Sequence, residues 1–132
     1  MLKVVPEPVH EVDVEEYVYG VSVSPLGTLI AYCGMSGSLF FLDGKDPSRT
    51  MARLHFSGYM EGLFSPNNDL FALCHAGCEV FLITTKDYSV LPTLPQPDSV
   101  SGIDFSISGS HFVVCSEKEA RVIRVSDDYD CV

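Results

Sequence analysis

The amino-acid sequence predicts an all-β protein built from three consecutive copies of one β-repeat. The first observation is a constant 41-residue spacing, at which a cysteine and a serine each return. The recurring positions are Cys33, Cys74 and Cys115, and Ser24, Ser65 and Ser106. The second observation is that short apolar runs alternate with turn residues inside every copy, which is typical of strands. No stretch of useful length shows the 3.6-residue period of an amphipathic helix.

Other residues match in the same register without gaps. The segments 23–25, 64–66 and 105–107 superimpose as Val-Ser-Pro, Phe-Ser-Pro and Phe-Ser-Ile. The further matches are Leu29 with Leu70, Ala31 with Ala72, Phe71 with Phe112, Gly27 with Gly109, and Phe40 with Phe81. Chance is an implausible source of so many matches, so the 41-residue unit is the repeat of the predicted fold.

The first two copies each predict four strands, because turn residues interrupt their apolar runs three times. In the first copy the predicted strands cover residues 18–23, 28–33, 38–42 and 49–56. In the second copy they cover residues 59–64, 70–74, 79–84 and 88–91. The first turn of the second copy is Asn67-Asn68-Asp69, where asparagine and aspartate tolerate the required dihedral angles.

The third copy predicts only three strands, at residues 100–105, 111–115 and 120–125. A short apolar run at residues 2–5 precedes the first copy and belongs to none of its strands. That run is therefore a candidate for the strand that the third copy lacks.

Four short strands per copy and one sequence line connect the chain to a known family. His55 lies nine residues before Phe64, ahead of a strand that leads into a Phe-Ser-Pro turn, and Leu42-Asp43 stands where a strand of the family ends in Trp-Asp. In these features residues 10–127 resemble the WD-repeat (Trp-Asp repeat) family in a degenerate form. The resemblance implies three four-stranded antiparallel blades of a WD-type β-propeller, as a partial ring or a ring completed by an oligomer.

The resemblance also implies how the chain is divided. We expect a single propeller segment over residues 1–132, with repeats at about 18–58, 59–99 and 100–127. An N-terminal strand within residues 1–17 is then available to complete a blade.

The sequence departs from the family pattern at the residues of its buried hydrogen-bond network. The chain has no tryptophan, and Leu54 rather than glycine precedes His55. The equivalents of His55 are Val14 and Gln96, and Ala76-Gly77 occupies a turn where the family has an acidic residue. The His–Ser–Asp–Trp network therefore cannot form in any copy, and we expect His55 to bind a backbone group or hydroxyl of its own blade.

Composition limits the classes of partner. The net charge is −10, with 8 basic and 18 acidic residues, so binding to nucleic acid or to an anionic membrane surface is not expected. Five cysteines, an odd number, favour a reducing compartment, and no targeting segment or apolar run of about 18 residues is present. We expect an intracellular protein, with the cytoplasm as its compartment.

Candidate chemical sites are few. Cys74, His75 and Cys78 are close in sequence, but Cys74 recurs as a strand residue and its neighbour His75 would point to the opposite face. We therefore expect no metal, no cofactor and no catalytic residue, and the phosphate-loop, dinucleotide and nucleophile-elbow motifs are absent. Three basic residues are close in sequence, Lys118, Arg121 and Arg124, and we expect Arg121 and Arg124 to face opposite sides of one strand.

The family resemblance implies a non-catalytic protein–protein interaction scaffold whose partners are other proteins. Two alternatives stay open. One is a regulatory propeller that acts on a small GTPase, which would need a protruding functional loop. The other is a purely architectural subunit, either a homo-oligomer or a set of blades that completes a propeller with another chain.

Overall fold

The structure, a computed structural model, describes residues 2–4, 7–8, 10–14, 16–56, 60–75, 79–92, 94–95 and 99–125 of the 132-residue chain. Every regular element in these ranges is a β-strand, and the strands form three antiparallel sheets that do not close into a ring. Over the same ranges, the chain forms no helix with the length and apolar character needed to cross a membrane. The predicted all-β fold class of three antiparallel sheets is confirmed, and we call the sheets blades 1, 2 and 3.

Each blade is a meander in which every strand pairs with the strand before it. Blade 1 contains β1 (Val18–Val23), β2 (Leu29–Gly34), β3 (Ser38–Asp43) and β4 (Thr50–His55). Blade 2 contains β5 (Met60–Phe64), β6 (Leu70–His75), β7 (Glu79–Thr84) and β8 (Leu94–Pro95). Blade 3 contains β9 (Val100–Phe105), β10 (His111–Ser116) and β11 (Ala120–Arg124).

The recurring serine holds the turn between the first two strands of each blade. The amide of Ser24 donates to the carbonyl of Leu29, and the Ser24 hydroxyl accepts the Leu29 amide at 2.9 Å. The same hydroxyl contact recurs between Ser65 and Leu70 at 3.0 Å and between Ser106 and His111 at 3.1 Å. The serines therefore recur at a constant interval because each one holds the same turn of its blade.

The fourth residue of that turn has a left-handed backbone in all three blades. The angle φ is 70° at Gly27, 67° at Asn68 and 76° at Gly109. Glycine adopts this region freely, and asparagine is among the few side chains that tolerate it. The prediction that the Asn-Asn-Asp turn supplies the required dihedral angles is confirmed at Asn68.

The predicted fourth strand of blade 2, at residues 88–91, is wrong. The strand is Leu94–Pro95, and within 88–91 only Val90 makes an isolated bridge, to Ile83. Tyr88 has a φ of 60°, which is incompatible with a strand. The carboxylate of Asp87 explains the longer turn, because it accepts the Thr84 hydroxyl at 2.5 Å and so bends the chain back.

Blade 2 lies between the other two blades and packs on both. One core joins blades 1 and 2 and consists of Leu29, Ala31, Cys33, Leu39, Phe41, Phe64, Phe71, Leu73 and Ile83. The other joins blades 2 and 3 and consists of Ala72, Val80, Leu82, Phe112 and Val114. Because successive side chains of a strand point to opposite faces, neighbouring residues of β6 and β7 enter different cores.

The ungapped repeat ends in the last hairpin of blade 3. Cys33 pairs with Leu39 and Cys74 pairs with Val80, a separation of six residues in each case. Cys115 pairs with Ala120, only five residues later. The hairpin between β10 and β11 is thus one residue shorter, and the structural equivalents in β11 shift by one position.

The apolar run at residues 2–5 does not form a strand where the structure describes it. Residues 2–4 have no strand partner, and Leu2 and Val4 are 98% and 93% exposed, while residue 5 lies outside the described residues. Blade 3 contains three strands in the described part of the chain, so this run does not supply its fourth strand within one molecule. The reason is geometric: the run precedes blade 1, and blade 2 separates blade 1 from blade 3.

His55 does not have the expected structural role. It ends β4 opposite Ser38, and its side chain is exposed. An exposed imidazole can exchange a partner for water, so the cost expected for leaving a buried partner unpaired does not apply to His55.

Candidate protein-interaction faces

Blade 1 carries an open face on the side away from blade 2, which we call the leading face. Cross-strand pairing places Val21, Tyr32, Phe40 and Arg53 in one row and Val23, Ile30 and Leu42 in the next. The rings of Tyr32 and Phe40 stack with centroids 4.7 Å apart, and the Arg53 guanidinium lies 5.0 Å from the centre of the Phe40 ring. The leading face is therefore apolar, with the Arg53 cation on β4, the last strand of the blade.

Within the leading face, the valines of β1 are exposed, whereas Tyr32 of β2 and Leu42 of β3 are buried. Val21 and Val23 of β1 are 69% and 58% exposed, whereas Tyr32 and Leu42 are 7% and 6% exposed. Two residues that precede β1, Glu16 and Tyr17, lie at one end of this face.

Glu16 and Tyr17 are fixed at the turn between β2 and β3. The Glu16 carboxylate accepts the Ser36 hydroxyl at 2.9 Å, and the Tyr17 carbonyl accepts the Met35 amide at 2.8 Å. Burial raises the pKa of Tyr32, and the nearby Glu16 carboxylate raises it further. Glu16 therefore lies over the end of the leading face.

Asp46 lies in the loop between β3 and β4, at the opposite end of β3 from Glu16. The Ser48 hydroxyl lowers the pKa of Asp46 most strongly, and the charge of His10 contributes a further lowering.

Glu16 also borders an open recess of about 540 Å³ at the end of blade 1. The described side chains around it are Glu16, Tyr17, Met35 and Ser36. One oxygen of Glu16, Oε1, is buried without a hydrogen-bond partner. Tyr17, which directly precedes β1, is one of these residues, so the recess adjoins the start of that strand.

Blade 3 carries the second open face, on the side away from blade 2, which we call the trailing face. Pairing places Asp104, Val113 and Val122 in one row, and His111 lies opposite Arg124 at the end of the sheet. Val122 is 68% exposed. The trailing face therefore has an apolar centre and charged or polar residues around it.

Both open faces repeat the residue positions that pack inside the chain. The trailing positions are Ala31, Cys33, Leu39 and Phe41 in blade 1, Ala72, Cys74, Val80 and Leu82 in blade 2, and Val113, Cys115, Ala120 and Val122 in blade 3. The leading positions are Val23, Ile30, Tyr32 and Leu42 in blade 1 and Phe64, Phe71, Leu73 and Ile83 in blade 2. Sequence periodicity predicts apolar outer faces, and the structure identifies the residues that form them.

The cysteines that recur in the repeat are poor nucleophiles. Burial raises the pKa of Cys33 to about 11 and that of Cys74 to about 12, and the Glu61 carboxylate adds to both. Cys78 and the side chain of His75 lie outside the described residues. The absence of a metal site at Cys74, His75 and Cys78 therefore stays a prediction.

The basic residues of blade 3 divide as predicted. Arg121 lies opposite Val114, which faces blade 2, and Arg124 lies opposite His111 on the trailing face. Arg121 donates to the Glu119 carboxylate at 2.9 Å. The acidic residues at 127, 128 and 130 lie outside the described residues.

Two aspartates shape the blades and were not singled out from the sequence. Asp46 accepts the Ser48 hydroxyl at 2.5 Å, and Asp87, its equivalent in the next repeat, accepts the amide of Ser89 at 3.1 Å. Hydrogen bonds from the Thr84 hydroxyl and then from Ser89 lower the pKa of Asp87 to about 2. Asp46 and Asp87 have the same 41-residue spacing as the cysteines and serines, so the sequence contained the information that predicts this recurring loop.

The comparisons with known proteins support the fold alone. No protein-family model matches the sequence, and no curated protein sequence is similar to it. The structure is similar to Kuenenia stuttgartiensis hydrazine synthase, with 17% identity, a TM-score of 0.75 and coverage of 98% of this chain and 38% of that one. It is also similar to U3-55K, with 15% identity, a TM-score of 0.78 and coverage of 91% and 39%.

Both of these proteins contain β-propellers, so the three sheets form a propeller-like fold. This chain spans about two fifths of the length of either one.

Proposed function

We propose that this chain is a non-catalytic protein-interaction module made of WD-type propeller blades, and that it binds other proteins through its leading and trailing faces. The observation that carries the proposal is the exposure of apolar strand residues. Val21, Val23 and Val122 are 69%, 58% and 68% exposed. The residue at the position of Val23 in blade 2 is Phe64, which is 6% exposed.

Physical chemistry supports a partner for these faces. Fully burying an aliphatic or aromatic side chain is worth roughly 1.5–3 kcal/mol, so covering three valines and the surrounding rows provides a substantial driving force. Contiguous exposed apolar patches mark interaction surfaces when polar residues surround them. Arg53 lies at the edge of the leading face, and His111, Arg124 and Asp104 lie at the edges of the trailing face.

Charge narrows the kind of partner. A net charge of −10 favours proteins with a basic surface and opposes binding to nucleic acid. The architectural alternative is supported by the same open faces, because a blade of another polypeptide would cover them as blade 2 covers blade 1.

Site-specific photo-crosslinking tests the proposal. A photoreactive amino acid is placed at position 21 or 122 in the cells from which the protein comes, and at the exposed turn residue Lys86 as the matched control. We expect discrete crosslinked protein adducts from positions 21 and 122 and none from position 86. Equal labelling at all three positions, or none at any of them, would contradict an interaction through these faces.

A further inference from the structure

The recess at the end of blade 1 contains a carboxylate, that of Glu16, which the described residues satisfy only in part. The Ser36 hydroxyl donates to its Oε2 at 2.9 Å, whereas Oε1 is buried and has no hydrogen-bond partner among these residues. The ion pairs found in the described part of the chain do not include Glu16. A carboxylate can accept about four hydrogen bonds, so one hydroxyl leaves most of this capacity unused. Burying such a charge is costly unless a donor or a cation pairs with it.

The Glu16 carboxylate is held in a fixed position. A Cβ added at Gly34 would overlap Oε1, so the carboxylate occupies the space that any other side chain at position 34 would need. The Ser36 hydroxyl binds the other oxygen, and the carbonyl of the next residue, Tyr17, accepts the Met35 amide at 2.8 Å. These contacts preorganise the carboxylate, which lowers the entropic cost of binding a ligand there.

The combination of a glycine and a glutamate at these two positions belongs to the first copy of the repeat alone. The residues at the positions of Gly34 and Glu16 are His75 and Ser57 in the second copy and Ser116 and Asp98 in the third. The serine that holds the blade turn, by contrast, returns in every copy. Because the residues that the blade turn requires recur at 41 residues, the glycine–glutamate contact is an addition to the blade and not a condition for folding it.

The other described side chains of the recess suit a long basic side chain. Tyr17 and Met35 are 79% and 55% exposed, and the recess has a volume of about 540 Å³. Pockets for small molecules have volumes of about 300–1,000 Å³, so an amino-acid side chain fits. Long basic side chains bury their methylene stems on apolar surface, and the face of a tyrosine ring attracts a cation. The apolar walls therefore match the stem of such a side chain, and the carboxylate matches its charged end.

We propose that this recess binds an arginine side chain of the protein partner, with the guanidinium paired to Glu16 and the stem packed on Tyr17 and Met35. Arginine is favoured over lysine because its planar guanidinium presents several donors to one carboxylate and stacks on an aromatic ring. The net charge of −10 attracts a basic partner to the same surface. This inference rests on the proposed function, because it names the chemistry that the partner presents beside the exposed valines of β1.

An NMR titration tests the recess with a defined probe. The probe is N-acetyl-arginine N-methylamide, and its uncharged match is the citrulline analogue, in which a urea group replaces the guanidinium. In the full chain with ¹³C-labelled methionine methyl groups, the Met35 resonance should shift and saturate as the arginine probe is added. The citrulline probe should leave that resonance unchanged, because it lacks the charge that pairs with Glu16.

Three variants test the carboxylate and its position. Glu16→Gln should weaken binding of the arginine probe by about tenfold or more, because a hydrogen bond between two charged groups is lost. Gly34→Ala keeps the charge but displaces the carboxylate, and it should also weaken binding. Glu117→Gln removes one negative charge from the exposed turn between β10 and β11, so it is the matched control and should bind the probe as the unchanged chain does.

Three results would overturn the proposal: the same Met35 response to the arginine and citrulline probes, unchanged affinity in Glu16→Gln or Gly34→Ala, or equal losses in Glu16→Gln and Glu117→Gln. The photo-crosslinking experiment separates this failure from that of the proposed function. Adducts at positions 21 and 122 without binding of the arginine probe would keep the interaction module and reject the arginine site. Binding of the probe without adducts would reject the interaction through the two faces.

Discussion

Replacing Ser65 with alanine tests whether the recurring serine stabilises the blade turn. Ser65 is fully buried, and its hydroxyl accepts the Leu70 amide at 3.0 Å and donates to the Asn67 side-chain oxygen at 2.6 Å. Alanine keeps the turn backbone and removes both contacts. The Leu70 amide then lacks this partner in a buried position, because Leu70 is only 1% exposed.

The magnitude follows from that unpaired amide. A buried donor that loses its acceptor costs about 1–3 kcal/mol, so we expect Ser65→Ala to lower the free energy of unfolding by about 2 kcal/mol. Ser24 is 3% exposed and should give a similar loss. Ser106 is only partly buried, and water can replace its hydroxyl, so Ser106→Ala should cost less than about 1 kcal/mol.

Urea unfolding measures the three variants at one protein concentration, because any self-association would make stability depend on concentration. Ser108→Ala, in the exposed turn that follows Ser106, is the control for loss of a hydroxyl at the surface. A Ser65→Ala midpoint equal to that of the unchanged chain would refute the argument. Equal losses for Ser65→Ala and Ser106→Ala would show that burial does not set the cost.

The remaining predictions concern packing, ionisation and one histidine. Gly62→Ala should lower the free energy of unfolding in urea by about 1–3 kcal/mol, because the added Cβ would lie 2.4 Å from the ring of Phe71 in β6. The control is Gly102→Ala, whose Cβ would have nothing within 4 Å, and it should be tolerated. Cys33 and Cys74 should resist iodoacetamide at pH 8 in the folded chain, as judged by mass spectrometry, because their pKa values of about 11 and 12 keep them as thiols. Since these pKa values are raised, the stability they contribute is present below pH 9.0 and is lost as the pH rises toward 11, which unfolding at several pH values would show. His55→Ala should change the free energy of unfolding by less than about 0.5 kcal/mol, and a loss above 1 kcal/mol would restore a structural role.

Spacing was enough to predict most strands because one physical constraint recurs in every blade. The serine hydroxyl and the left-handed fourth residue of the turn fix where the first hairpin reverses, and both return in each repeat. Asn68 stands where the other blades have glycine, so turn chemistry was readable even where identity was lost. The alternation of apolar residues then located the two packed faces of blade 2.

The errors arose where a side chain overrides the strand pattern. Residues 88–91 have apolar character, but the Asp87 carboxylate binds Thr84 and Ser89 and holds Tyr88 at a φ of 60°. A sequence pattern of period two does not contain that hydrogen bond. The run at 2–5 has the apolar composition of a strand, but residues 2–4 have no strand partner, because composition alone does not supply a neighbouring edge.

The same periodicity explains why the open faces could be located but their occupant could not be read from the sequence. A face that covers a blade within the chain and a face that covers a blade of another molecule need the same apolar positions. What differs is the border: His111 stands where blades 1 and 2 have Leu29 and Leu70, and Asp104 stands where blade 2 has Leu63. Burying an imidazole and a carboxylate without partners is costly, so the trailing face is suited to a contact that keeps these groups hydrated or paired at its edge. Such a contact is weaker than the interior cores, and we therefore expect the faces to separate from their partner while the three blades stay folded.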